Sequence, residues 1–168
     1  MEIIIIGRGG QGAVKAAQLL ATSAFLSGYE AQAFPMFGVE RRGAPVSSFV
    51  RISDKPIKTR AQIERADYAV ILDATLLNSR KIDARTIILN SSKLPAKCRG
   101  IDADAIASKI FPKGINTVMI AAFAFLTGII EKDALLNACK EIFEGEMANK
   151  NIQIVEETFS SLVKLRKK

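Results

Sequence analysis

Residues 3–6 are four isoleucines with no polar side chain among them. Such a run predicts a strand buried on both faces, as strands of parallel α/β sheets are. Glycines follow at once, and residues 13–27 then read as a helix that stops at Gly28. Residues 30–34 read as a second strand, closing a β-α-β unit. Residues 47–52 alternate as Ser-Ser-Phe-Val-Arg-Ile, and Asp54-Lys55-Pro56 turns the chain. Residues 56–58 are expected to return as a short strand, giving a hairpin at one edge of the sheet. A short helix is expected over 61–65. Residues 66–73 and 86–90 are buried strands, with a short helix or loop at 75–79, and 97–101 is one more short strand. Helices are expected over 103–110, 118–126, 132–143 and 149–165. Asn116 and Thr117 stand where an N-cap for the apolar helix would. Strands alternate with helices early and helices dominate late. The expected fold is one domain over residues 1–168: a three-layer α/β/α sandwich with a mostly parallel, Rossmann-like sheet and a helical C-terminal part.

Composition narrows the chemistry more than the fold. At 168 residues, 49% of them hydrophobic, the chain can fill a complete core. Residue 2 is acidic and the isoleucine run leads into glycines, so no signal peptide is expected. The longest apolar stretch, residues 118–126, is well short of the ~20 residues that span a bilayer. A cytoplasmic protein with no membrane partner is the expectation. There is no histidine, which removes histidine-based acid–base catalysis and histidine-ligated metal sites within this chain. Two cysteines, Cys98 and Cys139, lie far apart and cannot build an iron–sulfur cluster alone.

The net charge is +7, and residues 164–168 read Lys-Leu-Arg-Lys-Lys. That cluster is either a solvated helix end or a grip on an anionic partner. No basic helix, zinc finger or aromatic platform accompanies it, so nucleic acid is not the expected partner.

Two stretches carry candidate chemistry. Gly7-Arg8-Gly9-Gly10-Gln11-Gly12 fits G-x-G-x-x-G between a strand and a helix, the context that pattern requires. The first turn of the helix presents unpaired N–H groups, a ready site for phosphate. A nicotinamide-binding unit also wants an acidic residue at the end of its second strand. Phe34-Pro35-Met36-Phe37 stands there, and Glu30 lies at the wrong end. The second stretch, residues 37–46, sets Glu40, Arg41, Arg42 and Gly43 between glycines and Pro45. Arginines so placed suit carboxylate, phosphate or subunit contacts. Asp73 and Asn90, at strand carboxyl ends, either face the glycine turn or serve as local caps.

Together these stretches resemble the gamma subunit of the 2-oxoacid:ferredoxin oxidoreductases, most closely the pyruvate type, over nearly the whole chain. Gln32-Ala33-Phe34-Pro35, Asp54-Lys55-Pro56-Ile57, Asp67-Tyr68 with Leu72-Asp73, Asn116-Thr117 with Ala122-Phe123, and Lys150-Asn151 extend the likeness. Val39 departs from it, because that family usually has proline there.

The resemblance implies an enzyme that decarboxylates a 2-oxoacid on thiamine diphosphate. It passes the acyl group to coenzyme A and sends electrons through iron–sulfur clusters to ferredoxin. Thiamine diphosphate, magnesium and the clusters are expected in alpha, beta and delta partner subunits. No catalytic or metal-binding residue is expected in this chain. Its expected contribution is contact with the shared active site and coenzyme A through Gly7, Arg8, Gly9, Gly10, Gln11, Gly12, Glu40, Arg41, Arg42, Gly43, Asn116 and Thr117. A stand-alone Rossmann-type nucleotide-binding oxidoreductase and a purely structural scaffold subunit remain as alternatives.

Overall fold

The computed structural model describes residues 1–36, 45–77 and 82–166. The chain runs β1 (Glu2–Arg8), α1 (Ala13–Leu26), β2 (Glu30–Pro35), β3 (Pro45–Ser53), β4 (Ala66–Ile71), β5 (Ala84–Asn90) and β6 (Cys98–Ile101). Four helices follow: α2 (Ala103–Ile110), α3 (Ile115–Thr127), α4 (Lys132–Ile142) and α5 (Gly145–Arg166). The strands form one sheet in the order β2-β3-β1-β4-β5-β6. β1, β4, β5 and β6 pair in parallel, while β3 is antiparallel to both its neighbours, so β2 runs the same way as β1. The α/β class, the mostly parallel sheet and the helical C-terminal part match expectation.

The isoleucine run is buried on both faces, as its composition requires. Ile3 and Ile5 point into the larger core, with the apolar faces of all five helices. Ile4 and Ile6 point the other way, against Phe49, Ile71 and Leu89. On that second face the cover, among the described residues, includes Ile63 from an irregular segment and Leu76 from a single 3-10 turn (Ala74–Leu76), with Leu77 and Ile82 partly buried beside them. α3 is apolar all round and lies at the centre of the helical layer, with Val118 through Ala124 at most 1% exposed. Among the described residues, no helix is long and apolar enough to cross a membrane.

Three local expectations are corrected. The 47–52 segment is not one arm of an edge hairpin with 56–58. It belongs to β3, which lies between β2 and β1, and residues 56–60 form no strand. Its polar residues suggested an edge, yet Ser47, Ser48 and Arg51 are all buried. Arg51 is held there by Glu2, which accepts from its Nε at 2.8 Å, and by the Ala61 carbonyl, which accepts from its Nη2 at 2.6 Å. It lies over the Phe34 ring, and its Nη1 is buried without a partner among the described residues. Residues 61–65 form no helix. Tertiary contacts, the Arg51 bond to Ala61 and the burial of Ile63, outweigh local helical preference in so short a piece. Lastly, Asn116 and Thr117 do not cap α3. They lie inside its first turn, and Gly114 occupies the cap position.

Candidate functional site

Neighbouring strands β1 and β4 send the chain in opposite directions. β1 leads through α1 to β2 on one side of the sheet, and β4 leads through the 3-10 turn to β5 on the other. The carboxyl ends of such a pair open a crevice, where ligands of open α/β sheets bind. The 7–12 turn and Asp73 stand at that crevice.

The turn is fixed from within and from across the crevice. The Gln11 N–H donates to the Arg8 carbonyl at 3.0 Å, and the Arg8 N–H donates back to Gln11 Oε1 at 2.7 Å. Arg8 Nε donates to Asp73 Oδ2 at 2.9 Å, and its Nη2 donates to Thr75 Oγ1 at 2.7 Å. Thr75 in turn donates its N–H to Asp73 Oδ1 at 2.9 Å. Burial pushes the Asp73 carboxyl up, but the hydrogen bonds from Thr75 and the Arg8 guanidinium outweigh it and hold the group below its ordinary value of 3.8. The arginine of the turn is therefore already neutralised by a carboxylate.

Gly7 and Gly12 are positions where a side chain would be crowded. A Cβ on Gly7 would lie 3.0 Å from Leu72 Cδ1. Gly12 sits at φ 80, in the left-handed region, and its added Cβ would lie 2.9 Å from Asn116 Nδ2. Gly9 and Gly10 face solvent, with open space beside Gly10. Gly12 is also the N-cap of α1, supplies no side-chain cap, and is followed by a first turn without acidic residues. The amide donors at this helix end thus lack a side-chain acceptor and meet no opposing charge. Asn116 is 7% exposed, and its side chain makes no hydrogen bond to the described residues.

Of the residues named from sequence, the fold brings together Gly7, Arg8, Gln11, Gly12 and Asn116, with Gly9 and Gly10 on the rim. Thr117 is turned away: its hydroxyl donates to Asn151 Oδ1 at 2.6 Å, tying α3 to α5 in the interior. Glu40, Arg41, Arg42 and Gly43 lie outside the described residues.

Asp73 and Asn90 prove to be both site-facing and structural. They line one polar cleft with Gln11, Ser91, Asp102 and Asp104. Asn90 also braces the cleft, bonding the Leu72 carbonyl, Asp104 and the Ala103 N–H. Sequence reasoning missed Thr75, although Asp73-Ala74-Thr75 after a strand is the pattern of a side-chain-closed turn.

The family model described as pyruvate ferredoxin/flavodoxin oxidoreductase matches residues 2–161. The chain belongs to this oxidoreductase family. It is a gamma-type subunit: it is 43% identical to pyruvate synthase subunit PorC of Methanothermobacter thermautotrophicus, over 99% of this chain and 98% of that one. It is also 43% identical to the pyruvate/ketoisovalerate oxidoreductases common subunit gamma of Thermococcus litoralis, over 97% of each chain. The crystal structure of pyruvate oxidoreductase subunit PORC from Thermotoga maritima superposes with a TM-score of 0.79 at 30% identity, covering 95% of both chains.

The redox groups of this oxidoreductase family do not fit the donors of this gamma-type subunit. Among the described residues no three His, Cys, Asp or Glu side chains are grouped so as to hold a metal ion. Cys139 is wholly buried in the helical layer and Cys98 lies on β6, which gives no thiolate set for a cluster.

Proposed function

We propose that this gamma-type subunit closes the coenzyme A side of an active site shared with its companion subunits in a cytoplasmic complex. The observation that carries this reading is the uncapped N-terminus of α1 beside Asn116, a largely enclosed residue whose side-chain amide makes no hydrogen bond to the described residues. A diphosphate would meet main-chain N–H groups there, with Gly10 leaving room for close approach. It would sit on the open side of the turn, because the cleft on the other side is lined by Asp73, Asp102 and Asp104. Arg8 serves as the brace that holds the turn open.

Thiamine diphosphate, magnesium and iron–sulfur clusters supply decarboxylation and electron transfer to ferredoxin when bound in the alpha, beta and delta subunits. Choice of 2-oxoacid also falls to those subunits, in keeping with a relative named as common to pyruvate and ketoisovalerate enzymes.

One observation favours a scaffold-only reading: Gly7 and Gly12 both sit in close contact with neighbouring side chains, Leu72 and Asn116. Asn116→Ala in the assembled complex separates the two. The expected result is a KM for coenzyme A raised about tenfold, the factor that ~1.4 kcal/mol of binding makes. Complex yield by native mass spectrometry should be unchanged. An intact complex with an unaltered KM overturns the coenzyme reading and leaves the scaffold.

A further inference from the structure

The basic end of α5 plays no part in the crevice, yet it borders two apolar-floored hollows on the molecule's surface. Two contiguous hollows of about 540 and 590 Å³ meet at Leu94, Gly100 and Leu165. Together they form a groove between the loop at 91–97 and the last turns of α5, alongside β6. The floor is apolar, with Phe125, Leu126 and Leu162, and Leu94 and Leu165 are left 43% and 58% exposed.

Among the described residues β6 has β5 as its one neighbour in the sheet. The Cys98 N–H is taken by the Pro95 carbonyl at 2.8 Å, and the remaining outward backbone groups of β6 form an open edge. The flanks are cationic. Arg99, Lys164 and Arg166 line the groove, and among the described residues none of the three has an acidic partner. The groove's two acidic residues are already engaged: Glu157 pairs with Lys109 at 3.5 Å, and Asp102 caps α2 by accepting the Ala105 N–H.

We infer that this groove docks an extended acidic segment of a companion subunit, which adds along the β6 edge and places an apolar side chain between Leu94 and Leu165. An open strand edge takes extended chain, an apolar floor takes one large side chain, and three uncompensated cations select carboxylates on either side of it. The far end of the groove is lined by Ser91, Ser92 and Asp102, which also line the cleft beside Asp73. A segment seated here therefore ends at the acidic cleft behind the 7–12 turn.

The test uses the complete complex. A photo-crosslinking benzoylphenylalanine is placed at Leu165, with the exposed α4 residue Glu141 as control position, and adducts are mapped by mass spectrometry. The expected result is an adduct, from position 165 and not from 141, on one Asp- or Glu-bearing stretch of another subunit. In parallel, the double variant R99E/R166E changes two exposed side chains. It should weaken recapture of this chain by the rest of the complex at least tenfold at low salt and flatten the salt dependence, with an unchanged Tm. Adducts to a second copy of this chain, or no protein adduct together with binding to phosphatidylglycerol vesicles, would overturn the inference. So would unaltered recapture by the charge-reversed chain.

Discussion

Asn116 and Thr117 are adjacent in sequence and opposite in role. Thr117 is fully buried and gives its hydroxyl to Asn151, whose own amide donates to the Met147 carbonyl at 2.8 Å. Replacing Thr117 with Val keeps the shape but leaves Asn151 Oδ1 unsatisfied in the interior. Chemical denaturation should show a loss of about 1–3 kcal/mol, with no change in the KM for coenzyme A of the assembled enzyme. Asn116→Ala should show the reverse pattern.

Asp73 supplies a pH signature at the same scale. Its folded pKa lies below the ordinary 3.8, so its bonds to Arg8 and Thr75 stabilise the fold fully above that value. The stabilisation is lost as the pH falls through the lower, folded value. The stability difference between wild type and Asp73→Asn should therefore be constant from neutral pH down to about 4 and shrink below it. A difference that vanished already near pH 6 would assign the effect to another group.

Among the elements, β6 is the most sharply constrained. Gly100 sits at φ 150, and a Cβ there would lie 1.9 Å from the Leu89 carbonyl oxygen, which is backbone and cannot rotate away. Gly100→Ala should cost about 3 kcal/mol or more. Hydrogen exchange should locate the loss at the β5–β6 pairing. A near-neutral Tm would mean that β6 shifts without penalty.

The elements also show what a single sequence makes legible. Runs such as residues 3–6 and the wholly apolar middle of α3 declare burial through composition alone, and the glycine turn does lie between a strand and a helix as its pattern implied. The position of β3 was not legible. Ser47, Ser48 and Arg51 look like a solvated edge until Glu2 and Ala61, both remote in sequence, are folded against Arg51. The same holds for Asn116, whose meaning depends on Gly12, more than a hundred residues earlier.

At the scale of the whole molecule, the two sheet faces differ in depth. Among the described residues one carries five helices, and the other a 3-10 turn and an irregular segment. Cys139 lies at 0% exposure within the deeper side, and burial pushes its thiol up to about 12. Cys98, on the shallow side, is half-buried and shifted up less far. At pH 8 a thiol reagent should therefore modify Cys98 through local opening. Cys139 should react only at the rate of global unfolding, tracking stability across denaturant. Equal rates for the two thiols would show that the helical layer opens independently of the sheet.

β3 lies between the first two strands to be synthesised, and this bears on the birth of the chain at the ribosome. β1 cannot pair with β2, its neighbour in time. Its partners are β3 on one side and β4 on the other, in register from Glu2 opposite Arg51 to Ile6 opposite Ile71. Until Ile71 has left the exit tunnel, the isoleucine run has no complete place to go. It then waits as a nascent apolar segment of high β-propensity, the kind that holdase chaperones bind and that aggregates when translation outpaces them.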